Sequence, residues 1–331
     1  MDSQVAVFLV VVLVHCVSDG GVLSFNLEPT LPVIKRGEPS SYFGFSVAQH
    51  STSNGSSWIL VGAPLGQNLQ PQTNRSGALF KCPISSYEAD CVQVVTDGKR
   101  DSISDYDDPS VNSEQLSAPV ASEQKDGQWL GVNVRSQGPG QKVVVCAHRY
   151  IHQGKDFKWG IGLCHFLKND FEYDTTLQPC RNKQRHAFED YGFCQAGTSA
   201  AILEDSTALL GAPGAFTARG MLFGISVSED YINKDRNQYK TPVEYQSREH
   251  KYEYLGMSVT GGKFFGDKIS FVSGAPKAAN FSGQVIFFSK GLNEILEVSA
   301  TLTGPVRADN GEGFASSYGY ELATLDLNGD K

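Results

Sequence analysis

The stretch YLGMSV (residues 254–259), followed by FVSGAP (271–276), shows most clearly the pattern that organises this chain. An aromatic residue and a glycine open the pattern, and a hydrophobic run that ends in Gly-Ala-Pro closes it. The other copies are YFGFSV with ILVGAP (42–47, 59–64), a weaker WLGVNV with VVVCAH (129–134, 143–148), YGFCQA with ALLGAP (191–196, 208–213), and the opening YGYELA (318–323).

Three of the four steps between successive copies agree closely in length. A fixed period of several tens of residues is typical of one supersecondary unit repeated side by side, as in a solenoid or a propeller. Within a copy the hydrophobic runs are short, β-branched and separated by Gly, Pro, Asn and Asp, which predicts strands rather than helices. The successive steps are 87, 61, 64 and 63 residues between the marker glycines Gly44, Gly131, Gly192, Gly256 and Gly319.

The fourth copy predicts the unit in most detail, because four strands can be placed in it. Four antiparallel strands per repeat are the plan of a propeller blade. We therefore predict an all-β fold of about four and a half blades. The predicted strands of the fourth copy lie at 255–259, 269–272, 284–288 and 296–302. The five predicted repeats lie near 42–96, 129–178, 191–228, 254–302 and 318–331, and the fifth is truncated.

Two shorter segments complete this prediction. The extended stretch at 25–34 stands before the first repeat and is expected to complete the last blade of a closed ring, which would remove a free sheet edge. In the first repeat, residues 76–82 and 91–95 are expected to form the outer hairpin.

The amino terminus predicts a secreted chain. Residues 6–14 are apolar almost without interruption, about the length of a signal-peptide core and shorter than the roughly 20 residues of a spanning helix. Small residues follow at 18–24, although no basic region precedes the apolar run. We predict a signal peptide at 1–24 and a mature chain from near Phe25. A buried amino-terminal strand is the alternative.

The cysteines agree with secretion. Cys16 lies in the predicted signal and six others remain, and an even number in a secreted chain predicts disulfides, with buried free thiols as the alternative. No Cys/His cluster has the spacing of a zinc site. Proximity along the chain favours the pairs Cys82–Cys91, Cys146–Cys164 and Cys180–Cys194.

Glycosylation sequons and charge point the same way. Asn54 and Asn74 start sequons in predicted loops, and Asn280 starts one before a predicted strand. The net charge of -8 and the absence of Lys or Arg runs argue against a nucleic-acid partner.

Two polar segments interrupt the repeats. Residues 97–124 are acidic and poor in large apolar side chains, which predicts a mobile surface insertion, with a cation or ligand contact as the alternative. Residues 227–252 are rich in Tyr and Arg, the residue types enriched at interface hot spots, and are a candidate ligand contact. An ordinary exposed outer strand and loop is the alternative for this second segment.

No enzyme is predicted. His148 and Arg149 suggest a catalytic pair, but neither a nucleophile nor paired carboxylates keep a fixed spacing with them. Loop packing or a partner contact is the favoured interpretation of both residues.

The carboxyl-terminal residues suggest calcium. Asp326, Asn328 and Asp330 take positions 1, 3 and 5 of an oxygen-ligand loop, where the first two strands of the fifth repeat should connect. The other ligands would lie beyond Lys331, so the chain as given is expected to bind calcium weakly or not at all.

The ordered set FNLE, YFGFSV, LVGAP, QWLGVNVRSQGPG, VVVCAHRY, FCQAG, LLGAPG, YLGMSV, FVSGAP and DLNGD resembles the amino-terminal FG-GAP β-propeller of integrin alpha subunits, from about residue 25 to 331. The stretch at 136–150 is most similar to the laminin-binding class. The collagen-binding class is disfavoured, since no von Willebrand-type domain interrupts repeats two and three.

The resemblance implies a seven-bladed propeller that heads a heterodimer with an integrin beta subunit and binds matrix protein at the cell surface. The family is membrane-anchored through parts absent here, so an unstable or self-associating fragment is expected. The divalent cation that grips a ligand belongs to the beta subunit, and Lys263, at a family calcium-ligand position, predicts no metal in repeat four. Aromatic residues that would cup a basic residue of the beta subunit are Tyr42, Phe45, Trp129, Tyr191, Tyr254 and Tyr318, and upper-face residues that would contact ligand are Tyr150, Phe216, Arg219, Tyr231 and Tyr245.

Two functions of other classes compete with the adhesion receptor. An accessory propeller of an extracellular enzyme, as in the glycosylphosphatidylinositol-specific phospholipase D family, needs a catalytic domain ahead of residue 25, where few residues stand. A carbohydrate-binding propeller should repeat identical stacking aromatics, whereas Tyr42, Trp129 and Tyr191 differ.

Overall fold

The computed structural model of the chain describes residues 32–99, 115–183, 189–230, 232, 235, 237–242, 251–305 and 316–326. It separates a short amino-terminal unit, Met1–Ile34, from a main unit, Lys35–Lys331. The predicted signal peptide at 1–24 and most of the predicted leading strand at 25–34 lie outside the described residues. No helix among the residues described is long and apolar enough to span a membrane.

The main unit is almost entirely β-structure, as predicted. Four antiparallel sheets have four strands each and follow one another along the chain, which is the plan of successive propeller blades. In chain order the strands are β1 (Ser46–Ser51), β2 (Ser57–Ala63), β3 (Ala78–Pro83), β4 (Val92–Val94), β5 (Glu123–Gln124), β6 (Asn133–Ser136), β7 (Val143–Ala147), β8 (Ile151–Gln153), β9 (Lys158–Gly160), β10 (Leu163–Leu167), β11 (Tyr173–Leu177), β12 (Ser199–Ile202), β13 (Thr207–Ala212), β14 (Met221–Ser226), β15 (Gln238–Lys240), β16 (Ser258–Gly262), β17 (Ser270–Ala275), β18 (Gln284–Lys290) and β19 (Leu296–Thr303).

The blades are β1–β4, then β6, β7, β10 and β11, then β12–β15, then β16–β19. Their first strands, β1, β6, β12 and β16, lie beside one another. The second blade differs from the others because its connection from β7 to β10 contains the hairpin β8–β9, to which β5 adds a third strand. This small sheet is the only described part of the β-structure that the repeat pattern does not contain.

A tight turn, not a strand, carries the aromatic-glycine pattern. The glycine adopts a positive φ, and so does the residue two places before it, for example Tyr42 (φ 57°) before Gly44 (φ 93°). The innermost strand then starts two residues after the glycine, as β16 does at Ser258 after Gly256. The strand predicted at 255–259 therefore began too early, whereas those predicted at 269–272, 284–288 and 296–302 overlap β17, β18 and β19.

The third repeat has a different marker glycine from the one predicted. Gly192 does not adopt a positive φ, but Gly197 does (φ 90°), and Gln195 before it takes the place of Tyr42 (φ 55°). The same hydrogen bond confirms the new alignment in four repeats, since the marker N–H donates to the carbonyl at the Gly-Ala-Pro glycine position. These bonds are Gly44 to Gly62 at 3.1 Å, Gly131 to Cys146 at 3.0 Å, Gly197 to Gly211 at 2.9 Å and Gly256 to Gly274 at 3.1 Å.

Glycine also makes the joints between blades. A Cβ on Gly62 would lie 2.0 Å from the carbonyl oxygen of Gly131 in the next repeat. The hydroxyl of Ser46 donates to that same carbonyl at 2.7 Å. The joint recurs further along the chain, with Gly211 and Ser199 against Gly256, and Gly274 and Ser258 against Gly319.

The joint between the second and third blades uses sulfur instead. Cys146 stands where the other repeats have glycine, and a Cβ on Gly197 would lie 2.6 Å from Cys164 Sγ. The Cys146–Cys164 disulfide thus fills this joint. The structure contains all three predicted disulfides, Cys82–Cys91, Cys146–Cys164 and Cys180–Cys194.

The segment predicted as a surface insertion, 97–124, begins and ends inside the fold. Asp97 is buried, and its carboxylate forms ion pairs with the buried side chains of Lys125 and His165. Glu123 and Gln124 form β5. The prediction was wrong at both ends, because a charged residue can be buried when partners of opposite charge are buried with it. Residues 100–114 lie outside the described part.

The three sequon asparagines are exposed, as glycosylation requires. Asn54 lies between β1 and β2, and Asn74 between β2 and β3. Asn280 lies in the short helical turn Ala278–Phe281 rather than at the start of a strand.

Candidate functional site

Three of the predicted interface aromatics meet at the ends of the first two blades. The ring of Trp129 lies edge-on to those of Tyr42 and Phe45, with centroids 6.0 and 5.7 Å away. Tyr42 and Phe45 stack at 6.5 Å. Both remain about half exposed, at 53% and 51%. The result is a solvent-facing aromatic cluster in which Trp129 lies 87 and 84 positions along the chain from Tyr42 and Phe45.

The turns explain why these rings converge. Tyr42 and Trp129 occupy the same left-handed position of successive repeats, and Phe45 directly follows the marker glycine Gly44. The N–H of Phe45 donates to the carbonyl of Tyr42 at 3.0 Å, which closes the turn and holds both side chains at the end of β1. The joint at Gly62 brings the next turn alongside.

Arg149 and His148 complete the surroundings of Trp129. The guanidinium carbon of Arg149 lies 5.4 Å from the Trp129 ring centroid, and the His148 ring lies edge-on at 5.8 Å. Burial, with the nearby charge of Arg149, lowers the pKa of His148 to about 4. His148 is therefore a neutral packing group at physiological pH.

Tyr254 takes the same position in the fourth repeat. It adopts φ 59° before Gly256, as Trp129 adopts φ 66° before Gly131. The ammonium of Lys277 lies 4.5 Å from its ring centroid. Thus the rings at the equivalent position of the second and fourth repeats each have a basic side chain of this chain over one face.

The structure places Tyr191 and Tyr318 differently from the prediction. Tyr191 is 8% exposed and packs against Phe216 at 4.7 Å, six residues before the actual marker Gly197. Tyr318 lies between the ring position and the marker glycine, where it bridges to Gly283. These two side chains do not take the place of Tyr42 or Trp129.

Tyr320 is an interface candidate that the sequence pattern missed. It follows the marker Gly319 as Phe45 follows Gly44, and its N–H donates to Ser317 at 3.0 Å in the same turn. Its side chain is exposed. Alignment on the left-handed turn, rather than on the first aromatic residue, would have found it.

Two predicted ligand contacts are buried. Tyr150 is fully buried, with its hydroxyl 3.5 Å from Glu123, and burial raises its pKa above the ordinary value. Phe216 is 7% exposed. Neither side chain is available for direct ligand contact, because both are buried in the hydrophobic core.

The other predicted contacts are only partly described. Arg219 is half-buried and ends the short helical turn Ala215–Ala218. Tyr231 and Tyr245 lie outside the described residues. Within the segment 227–252, the described residues Gln238–Lys240 form β15, the outermost strand of the third blade.

The hairpin β8–β9 is a surface that sequence reasoning missed. Phe157 stacks on Trp159 at 6.0 Å and contacts His152 at 5.7 Å. The side chain of Phe193 is exposed and lies beside Gly160. A Cβ added to Gly160 would be 3.7 Å from the Phe193 ring. The sequence signal was the GKD turn at 154–156 between two short runs of strand-forming residues.

No three metal-ligating side chains gather among the residues that the structure covers. Asp326 is exposed, and the other two predicted calcium ligands, Asn328 and Asp330, lie outside the described residues. Lys263, predicted to take the place of a metal ligand in repeat four, forms an ion pair with Glu204 at 2.9 Å.

Comparison with known proteins gives consistent relatives, although no family model matches the chain. The chain is 37% identical to integrin alpha-7 of Rattus norvegicus over 329 residues, which covers 93% of this chain and 26% of that protein. It is 33% identical to integrin alpha-6 and 32% identical to integrin alpha-V of Gallus gallus, again over 93% of this chain and 28% of each relative. The chain thus spans between a quarter and a third of the length of these curated relatives.

Proposed function

Because this chain belongs to the integrin alpha-subunit family, we propose that it forms part of the extracellular head of a cell-adhesion receptor. In this proposal the head pairs with an integrin beta subunit and binds an extracellular matrix protein, with laminin as the preferred class. It supports cell–matrix adhesion and signalling from the outer face of the plasma membrane, without catalysis.

The aromatic cluster of Tyr42, Phe45 and Trp129 is the observation that carries the pairing role. Half-exposed rings held rigidly by turns form a surface that a partner can cover at low entropic cost. Among the described residues no cation lies over Tyr42 or Phe45, so the faces of these two rings are open to a basic side chain of the beta subunit. A cation over an aromatic face gains about 2 kcal/mol when water is excluded.

Alanine at Phe45 tests the pairing role. We expect Phe45→Ala, alone and with Trp129→Ala, to reduce co-precipitation of the natural full-length chain with a beta subunit by about tenfold or more, since a ring–cation contact is lost. The readout is the beta subunit recovered per amount of secreted chain.

Tyr87→Ala serves as the matched control, because Tyr87 is exposed but lies in the Cys82–Cys91 loop. Undiminished recovery with both alanine variants would show that the aromatic cluster does not bind the beta subunit.

The hairpin β8–β9 supports the ligand-binding role. Its aromatic row adds a surface to the second blade that the described parts of the other blades do not contain, and stacked aromatics provide contact area with few rotamers to fix. We retain Arg219 as a further contact because its side chain is partly accessible. Tyr231 and Tyr245 remain proposed contacts on the sequence argument alone.

Phe157→Ala tests that role. We expect cells expressing the variant to attach to laminin about fivefold less well, because Trp159 loses its stacked neighbour and the contact area shrinks. Pairing with the beta subunit should stay normal, since Phe157 lies outside the aromatic cluster. Equal attachment of variant and parent cells at equal surface expression would exclude the hairpin from ligand binding.

Calcium remains part of the proposal. Asp326, Asn328 and Asp330 have the spacing of the first ligands of a calcium loop, after the turn that opens the fifth repeat. Carboxylate and amide oxygens suit this hard cation. In the proposed role calcium stiffens the loop and performs no chemistry.

A further inference from the structure

The residue after each Gly-Ala-Pro position is tied to the aromatic turn of its own repeat. Its backbone N–H donates to the carbonyl of the residue just before the ring position. The bond occurs in four repeats: Leu65 to Ser41 at 3.0 Å, Arg149 to Gln128 at 3.1 Å, Gly214 to Cys194 at 3.2 Å and Lys277 to Glu253 at 3.3 Å. We name this residue the cap position, because its side chain starts beside the ring.

In three of the four repeats the cap residue matches the ring position. Trp129 has the cap Arg149, and Tyr254 has the cap Lys277, each cation lying over its ring at 5.4 and 4.5 Å. In the third repeat Gln195 replaces the ring and Gly214 replaces the cation. The two cationic caps therefore occur in repeats whose ring can hold them.

The first repeat differs, since the cap of Tyr42 is Leu65. Arg75 lies beside this turn but donates to the carbonyls of Ser40 and Leu65 at 3.1 and 3.4 Å instead of stacking on the ring. Tyr42 and Phe45 thus present uncharged faces, whereas Trp129 and Tyr254 present a positive charge.

The capping cations are exposed to solvent, on a chain whose net charge is -8. A ring beneath a long basic side chain restricts its rotamers, so that less entropy is lost when the charge binds a partner. A cation already over the ring also repels a second cation. The capped rings are therefore suited to an acidic group, not to a basic one.

We propose that Arg149 and Lys277 are built-in cations that select acidic side chains of the partner protein, and that they restrict the partner's basic side chain to Tyr42 and Phe45. The partner meant here is the integrin beta subunit, so this inference rests on the pairing proposed above. In this proposal Arg149 and Lys277, which are not members of the aromatic set, determine the charge specificity of the interface.

A peptide probe tests charge selection without the beta subunit. We expect fluorescein-labelled hexaglutamate to bind the natural full-length chain, with an affinity that weakens as salt rises, and to bind the Arg149→Gln/Lys277→Gln double variant at least fivefold more weakly. Arg75→Gln is the matched control and should bind as the parent does. The charge-conserving pair Arg149→Lys and Lys277→Arg should retain binding, which separates charge from folding.

Co-precipitation gives the second measurement. The double glutamine variant should recover at least threefold less beta subunit, and the charge-conserving variant should recover a near-normal amount. If the parent chain pairs with no beta subunit but binds hexaglutamate through the caps, the pairing proposal fails and the charge selection stands. Equal hexaglutamate binding by parent and double variant, no binding by the parent, or stronger beta-subunit recovery by the double variant would overturn the inference.

Discussion

Asp97→Asn is expected to destabilise the folded chain by about 3–5 kcal/mol, the usual result of removing one member of a buried ion pair. The carboxylate of Asp97 is fully enclosed and bonded to Lys125 Nζ, and His165 Nε2 donates to it at 3.0 Å. Amide groups of Gln128 and Asn68 approach it at 3.3 and 3.4 Å. The asparagine would leave the buried Lys125 ammonium with only the carboxylate of Glu123, 3.7 Å away, as a counter-charge.

Denaturant unfolding of the purified chain, followed by tryptophan fluorescence, measures this loss. Asp156→Asn is the matched control, because Asp156 is exposed in the β8–β9 turn and should change the free energy of unfolding by less than about 0.5 kcal/mol. The expectation fails if Asp97→Asn unfolds at the same denaturant concentration as the control.

The pH dependence of this network has a defined sign. Burial alone would raise the pKa of Asp97. The charges of His165 and Lys125 lower the pKa by more than burial raises it, so the pKa lies well below the ordinary value. A carboxyl with a depressed folded-state pKa contributes stability above its unfolded pKa of about 3.9, and loses it as the pH falls toward the folded-state pKa. We expect the stability difference between the parent and Asp97→Asn to persist down to about pH 5 and to shrink below about pH 4. A difference that disappears near pH 6 would contradict this assignment.

Gly62→Ala is the second change with a large expected effect, a loss of about 3 kcal/mol or more through overpacking. The new Cβ would stand 2.0 Å from the carbonyl oxygen of Gly131, which is backbone of the next blade and cannot rotate away. The same carbonyl accepts the Ser46 hydroxyl. Separating the blades to admit a methyl group would break that bond and open the packing between them.

Gly160→Ala is the control for this change, because its Cβ would have Phe193 at 3.7 Å as its nearest neighbour, an ordinary contact. The readouts are the secreted yield and the denaturant midpoint of Gly62→Ala, Gly211→Ala and the control. The second blade shows that a side chain can be accommodated at this position when the joint is built for it, as at Cys146. Normal secretion and an unchanged midpoint for Gly62→Ala would mean that the glycine joint adapts in the same way.

Much of the fold could be predicted from sequence, because its signals are local. Turns that need positive φ selected glycine at 44, 131, 256 and 319, and short β-branched runs between turns specified strands. The outer strands of the fourth repeat were placed well for this reason. The disulfide pairs were also predictable, because each closes a short loop within or beside one repeat.

The third repeat shows where local signals fail. Tyr191-Gly192 has the composition of the marker turn, but its side chains do not reveal which glycine adopts the left-handed conformation. That choice depends on the hydrogen bond from Gly197 to Gly211, a partner that becomes adjacent only when β12 pairs with β13. Because Gly192 was predicted as the marker glycine instead of Gly197, Tyr191 was wrongly predicted to be an interface residue.

The sequence by itself thus determined the repeated β-architecture, the positions of most turns, the disulfide pairs and four of the six aromatic residues predicted at the repeat ends, since each depends on residues close in the chain. Tertiary structure alone decided which rings meet, which of them carry a cation, and that Asp97 is buried. The reason is physical: the charge on Asp97 is stabilised by Lys125 and His165, 28 and 68 residues away, and the rings of Tyr42 and Trp129 meet only because the glycine joint brings two blades together.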